Sequence, residues 1–198
     1  MDTDQLWVTI HHERARLLDL LRSLDDAEWD RPSLCAGWRV RDVAAHAISG
    51  SDYSVPGTLI GMVRARGDFN RLMDRLAREQ GSRPVEQIMA RYERQATSRR
   101  RPPGTKPADP LVDVLVHSQD IAIPLGRSHP MPVDAAREAA EFVWTRGFPY
   151  HAQRDHAGTR FVATDVEFEV GDGPPVRAPI AGILLTMTGR PAVWTDCG

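Results

Sequence analysis

The amino-acid sequence predicts a mainly helical α+β protein, with a helical bundle over about residues 1–148 and a small α/β domain over 149–198. Three observations carry this. Apolar residues recur at a helical period through the first three-quarters of the chain. After about residue 150 the pattern changes to the alternation of short strands. No internal repeat of roughly 20–50 residues is visible, which excludes a solenoid.

Leu6, Ile10, Leu17, Leu18, Leu21 and Leu24 fall on one helical face, so about 3–24 forms a long helix. DDAEWDRPSLCAGW is rich in turn formers and reads as a loop. A second helix starts near Val40 and runs past His46, with Val40, Val43, Ala44 and Ala47 in phase. Gly50 and Ser51, then Pro56–Gly57, are its expected breaks. GDFNRLMDRLAREQG is a further helix, ended by Gly81. PVEQIMARYERQATSRR, over 84–100, is another, with proline in its first turn. RRRPPGTKPADP is a Pro-rich connection to the helix PLVDVLVHSQDIAIPLG, stopped by Pro124 and Gly126. VDAAREAAEFVWTRG is the last helix of the bundle. RFVATDVEFEVGDGPPVRA then alternates as two short strands with a turn at Gly171–Asp172–Gly173–Pro174. PIAGILLTMTG is helix-like, and PAVWTDCG closes as a short strand.

The chain has 198 residues, 41% hydrophobic and 26% charged, ordinary for a globular protein with a real core. Its formal net charge of −2 gives no general attraction to nucleic acid or to an anionic membrane. Lys106 is the one lysine among 25 basic residues, a bias that fits GC-rich coding. The two cysteines, Cys35 and Cys197, make no disulfide framework. No secretory leader opens the sequence, and no apolar run approaches the roughly 20 residues that span a bilayer. The expectation is a cytoplasmic monomer or weak dimer.

The chemistry-bearing pattern is Asp113 and His117, four apart on one predicted helix. Residues at that spacing lie one above the other, so they offer an oxygen and a nitrogen to one point. His46, on another helix among Val43 and Ala47, would complete two nitrogens and one oxygen. Three such donors with an open position suit a catalytic divalent metal. An aspartate buried among Leu111, Val114, Leu115 and Val116 would be costly unless paired. Spacing alone also allows core histidines with satisfied hydrogen bonds, and Asp113 answering the helix dipole. Asp42, four before His46, and Asp120, three after His117, are candidates to hold an imidazole tautomer. Asp42 fits an early-turn helix position equally well. Cys35 reads as a loop thiol, and as the one candidate for a fourth ligand if the site is closed. His11, His12, His129, His151 and His156 read as structural or solvated.

At these residues the chain resembles the mycothiol-dependent maleylpyruvate isomerase family, within the DinB/YfiT-like metal-binding bundles. The resemblance runs over WDRPSLCAGWRVRDVAAHAISG, DVLVHSQDIAIPLGR and ATDVEFEVGDGPPVRAPIAGILLTMTGRPA, in order. It implies a DinB-like four-helix bundle joined to a small sterol-carrier-like α/β domain. It implies zinc or another divalent ion on His46, Asp113 and His117, with mycothiol as thiol cosubstrate. Arg190 matches the family's C-terminal arginine and is implied to bind a substrate carboxylate. Asp113 stands where the family usually carries glutamate, so the ion would sit closer to this helix or the carboxylate would bind it in another mode.

The implied reaction adds a thiol to an electrophile bearing a carbonyl or carboxylate. Elimination after bond rotation makes a cis–trans isomerase, and retention of the adduct makes an S-transferase. The alternatives are a thiol-independent metal hydrolase or lyase on the same scaffold, and a non-catalytic metal-binding protein.

Overall fold

A computed structural model describes residues 1–49, 61, 63–102 and 104–191. The breaks expected at Gly50, Ser51 and Pro56–Gly57, and the closing strand beyond Pro191, fall outside the described residues. The chain divides into two compact units, Asp2–His129 and Pro130–Gly198, Met1 grouping with the second. The mainly helical α+β class holds. Among the described residues no helix is long and apolar enough to cross a membrane.

The first unit is helical. Helix α1 (Thr3–Arg22) opens with a capping box, in which Asp2 accepts from the Gln5 backbone N–H and Gln5 reaches back to that of Asp2. The expected loop at 25–38 contains a short helix, α2 (Asp26–Trp29). Asp25 and Glu28 form its capping box, at 2.9 and 3.0 Å, and buried Trp29 anchors it. Next come α3 (Val40–Ala47), α4 (Phe69–Gly81) and α5 (Val85–Gln95). Helix α5 stops short of the expected residue 100, because ATSRRR offers no large apolar side chain to bury.

Helix α6 (Asp109–Leu125) is apolar on most of its surface, as suits the central helix of a bundle. It runs through Pro124 into its last turn and ends at Gly126. One core cluster joins Leu17 and Leu21 of α1, Val40 and Val43 of α3, Ile88 and Tyr92 of α5, and Val114 and Ile121 of α6. Helices α3 and α4 cross with their backbones almost touching. A Cβ added at Gly81 would lie 2.7 Å from the Asp42 Cα, so only glycine fits there.

The second unit holds α7 (Val133–Thr145), the short α8 (Ala152–Asp155), strands β1 (Arg160–Ala163), β2 (Glu169–Gly171) and β3 (Pro175–Ala178), and α9 (Ile180–Met187). Three strands form where two were expected. The order is β2-β1-β3, with β1 antiparallel to β2 and parallel to β3. The turn at 172–174 therefore does not make a hairpin: β3 passes β2 and pairs beyond it, on β1. Phe161 of β1 is buried under Trp144 and His156, their ring centres 6.3 and 5.2 Å away. Ala135, Ala136, Ala139 and Ala140 give α7 a buried small-residue face, and α9, with Ile180, Ile183, Leu184 and Met187 buried, packs on α7.

Candidate metal centre

His46 comes from the last turn of α3 and His117 from the middle of α6. Their ring centres lie 5.0 Å apart, the planes at 88°. Two imidazoles bound at about 2.0–2.1 Å to one tetrahedral ion place their ring centres roughly 5 Å apart. That separation is compatible with a shared cation and is also that of an edge-to-face ring pair.

Asp120 holds His117. Its Oδ2 lies 2.8 Å from His117 Nδ1, and the residue is fully buried. With Asp120 ionised, its carboxylate accepts from Nδ1–H and leaves the Nε2 lone pair to a metal. A buried carboxylate on an imidazole is a frequent companion of metal ligation. The buried acid that α6 carries next to its histidine is therefore Asp120.

Asp113 is solvent-exposed. The burial expected from its apolar neighbours is corrected: α6 turns Leu111, Val114 and Leu115 inward and Asp113 outward. The cost of a buried bare carboxylate thus gives no argument for a cation at Asp113. Its charge is felt by Arg14, whose guanidinium burial opposes and Asp113 favours. Arg14 is 5% exposed and donates from Nη1 to the Ser98 carbonyl at 2.8 Å.

Asp42 does not serve His46. It is 1% exposed and accepts from the Arg39 backbone N–H at 2.9 Å and from Nε at 3.1 Å, closing the N-terminus of α3. Support for His46 comes instead from Trp38, its ring centre 5.1 Å away at a steep angle. Trp38 Nε1 donates to Asp74 at 2.8 Å, and that bond, with Arg78 beside it, holds the Asp74 carboxyl below the usual carboxylate range.

The loop before α3 carries a residue whose contribution spacing did not reveal. Cys35 Sγ lies 3.1 Å from the same Asp120 Oδ2. Among the described residues, Cys35, His117 and Asp120 bring ligand-type atoms within 4.8 Å of one another, a group that includes neither His46 nor Asp113. The loop is well fastened. Pro32 and Arg39 form an antiparallel bridge, and the Leu34 N–H donates to the Asp120 carbonyl at 3.0 Å. The Trp38 N–H donates to the Cys35 carbonyl at 2.9 Å, closing a turn. Gly37 takes the third place of that turn at φ +77°, the left-handed position such turns reserve for glycine.

Arg190 sits just past α9 in the second unit. The Gly189 N–H donates to the Thr186 carbonyl and the Arg190 N–H to that of Leu185, the pairing of a Schellman cap. Its guanidinium Nη1 donates to the Thr188 carbonyl at 2.7 Å. Of the other histidines, His12 meets Glu13 at 3.1 Å and His156 packs on Phe161.

Two imidazoles 5.0 Å apart, one of them in contact with a buried carboxylate, are donor types that suit a divalent ion, and the ligand-type atoms that converge are those of Cys35, His117 and Asp120. The family model of the mycothiol maleylpyruvate isomerase N-terminal domain matches residues 10–119, which include His46, Asp113 and His117. The fold is similar to the crystal structure of a mycothiol-dependent maleylpyruvate isomerase, with a TM-score of 0.68 and 13% identity over 98% of this chain and 91% of that one. A histidine-to-alanine mutant of a mycothiol-dependent maleylpyruvate isomerase gives a TM-score of 0.65 and 14% identity over 97% and 91%. No curated protein sequence matches the chain. The family match spans more than half of the 198 residues and both histidines of the candidate centre, so the chain belongs to the mycothiol maleylpyruvate isomerase family.

Proposed function

We infer that this protein is a metal-dependent enzyme that uses mycothiol to isomerise a cis alkene of the maleylpyruvate type. The observation that carries the reading is the His46–His117 pair at 5.0 Å with Nδ1 of His117 held by Asp120. His46 and His117 supply two nitrogens, and Asp113, one turn before His117 on α6, is the third donor in this reading. Zinc is the favoured ion, since imidazole and carboxylate donors suit it. When bound, the ion favours the thiolate form of a thiol near neutral pH.

Mycothiol is the thiol because its use is what gives the family its name. Its sulfur adds to the electron-poor double bond, forming a carbon–sulfur bond and leaving the electron pair on the activating carbonyl. The former double bond then rotates. Return of the electron pair expels the thiolate and leaves the trans alkene. Arg190 is assigned to a substrate carboxylate, which a guanidinium meets with two parallel hydrogen bonds. An S-transferase shares the addition step and keeps the adduct.

The test is a turnover assay on metal-quantified protein with mycothiol and maleylpyruvate, following both free thiol and product mass. The reading expects trans product with thiol regenerated. Thiol consumed in step with product makes the protein a transferase, and turnover without thiol makes it a hydrolase or lyase. His46→Ala and His117→Ala should each lose metal and activity together, and full metal content in both would sink the assignment. Arg190→Ala should keep its metal and need more substrate. Unchanged kinetics would remove Arg190 from the site.

A further inference from the structure

We propose that Cys35 is a positioning residue for the metal centre: its S–H shares Asp120 Oδ2 with His117 Nδ1–H and holds that carboxylate in register. The proposal rests on the reading of His117 as a metal ligand and extends it to a thiol in the loop before α3.

The contacts run in series. Cys35 Sγ lies 3.1 Å from Asp120 Oδ2, and that oxygen lies 2.8 Å from His117 Nδ1. A single carboxylate oxygen with two donors cannot turn toward either without loosening the other. Cys35 thereby limits how far the Asp120 carboxylate can rotate, and Asp120 limits the imidazole plane. That plane sets where His117 Nε2 points relative to His46. Backbone contacts keep the donor in place: the Leu34 N–H donates to the Asp120 carbonyl at 3.0 Å, and the Cys35 N–H to Ser33 Oγ at 3.2 Å.

The alternative role for this thiol is direct ligation. The contacts favour positioning, because Nδ1 and Sγ converge on the same carboxylate oxygen. A metal at that point would have to displace both hydrogen bonds. It would also leave His46 outside the ligand set.

Cys35→Ala removes the donor, and Cys35→Ser replaces it with an O–H that can reach the same oxygen. Zinc affinity is measured by competition with a chromophoric chelator on full-length wild type and both variants. Cobalt(II)-loaded wild type is examined for a thiolate-to-cobalt charge-transfer band. Nitrogen-15 NMR of the His117 ring, before and after zinc addition, reports its tautomer. Positioning predicts zinc binding in Cys35→Ala weaker by about three- to tenfold. That is less than the roughly 10–100-fold expected for loss of the partner carboxylate itself. It also predicts recovery to within about twofold of wild type in Cys35→Ser, and no charge-transfer band. In metal-free protein His117 stays in the Nδ1–H tautomer in wild type and in Cys35→Ser, and becomes mixed in Cys35→Ala. An unchanged tautomer and affinity in Cys35→Ala overturns the proposal, as does a charge-transfer band or a Cys35→Ser variant no better than Cys35→Ala. Wild-type protein that binds no zinc would fail the functional reading alone, and the tautomer measurement would still decide the role of Cys35.

Discussion

The crossing of α3 and α4 offers a way to move His46 without touching it. Gly81→Ala places a methyl group 2.7 Å from the Asp42 Cα, a backbone atom that cannot swing aside. Carbon atoms settle at about 3.5–4.0 Å, so the helices must part by roughly 1 Å. Overpacking of this kind costs about 1–3 kcal/mol. Alanine recovers a part of that, at most about 1 kcal/mol, because it is a better helix former than glycine. A net loss of about 1–2 kcal/mol should lower the melting temperature by roughly 2–8 °C in a chain of this size. His46 follows Asp42 by one helical turn, so it moves with α3. Site geometry tolerates only about 0.5 Å, so zinc affinity should fall at least about tenfold. The assay is thermal unfolding of the metal-free protein, with chelator competition for zinc, on Gly81→Ala and on Gly147→Ala. A Cβ at Gly147 meets nothing within 4 Å, so that variant should match wild type in both. Equal melting temperatures for the two variants would refute the close crossing. A destabilised Gly81→Ala that binds zinc normally would refute the coupling of α3 to the site.

Three further outcomes are expected. Gly37→Ala forces a side chain into the left-handed region at φ +77° and should cost about 1–2 kcal/mol, read as a lower melting temperature with weaker zinc binding. Removing zinc with a chelator should lower the melting temperature relative to protein held at 100 times its zinc dissociation constant; that ligand term is about 2.7 kcal/mol, or roughly 5–10 °C. Burial, with Arg16 adding and Glu13 opposing, holds the His129 pKa below its ordinary value, so the folded state prefers the neutral ring. Stability from this preference is complete above the unfolded value of about 6.5 and is lost as pH falls from there through the lowered folded value. Denaturant titrations at pH 7.5 and 5.5 should show a smaller drop for His129→Gln than for wild type.

Local features were the legible ones. The apolar stripes of α1 and α3 and the apolar body of α6 announce their helices, because a buried face repeats every turn. The contact of His117 with Asp120 was also foreseeable, since both sit on one helix three residues apart. What distance along the chain concealed is the rest. Cys35 and Asp120 are 85 residues apart, and no periodicity links a loop thiol to a helix carboxylate. The meeting of His46 with His117 could be posed from two apolar helix faces, but spacing alone left it level with two ordinary core histidines until the resemblance favoured it. Helix α6 is apolar on so much of its surface that the pattern could not say which flank stays open, and Asp113 turned out to lie on it. Helix α2 was written plainly as D-x-x-E before a tryptophan, but one turn is too short for a period to register. The pairing of β3 with β1 is a choice between edges that alternation does not encode.

The turn Cys35–Ala36–Gly37–Trp38 acts as a yoke. One arm presses Trp38 against His46, and the other sets Cys35 on the acid that steers His117. The two rings therefore share a single harness and cannot be retuned separately. Lengthening the turn by one residue would slacken at least one rein. Mutational scanning should find the yoke intolerant of insertion even where its exposed residues, Ala36 above all, accept substitution.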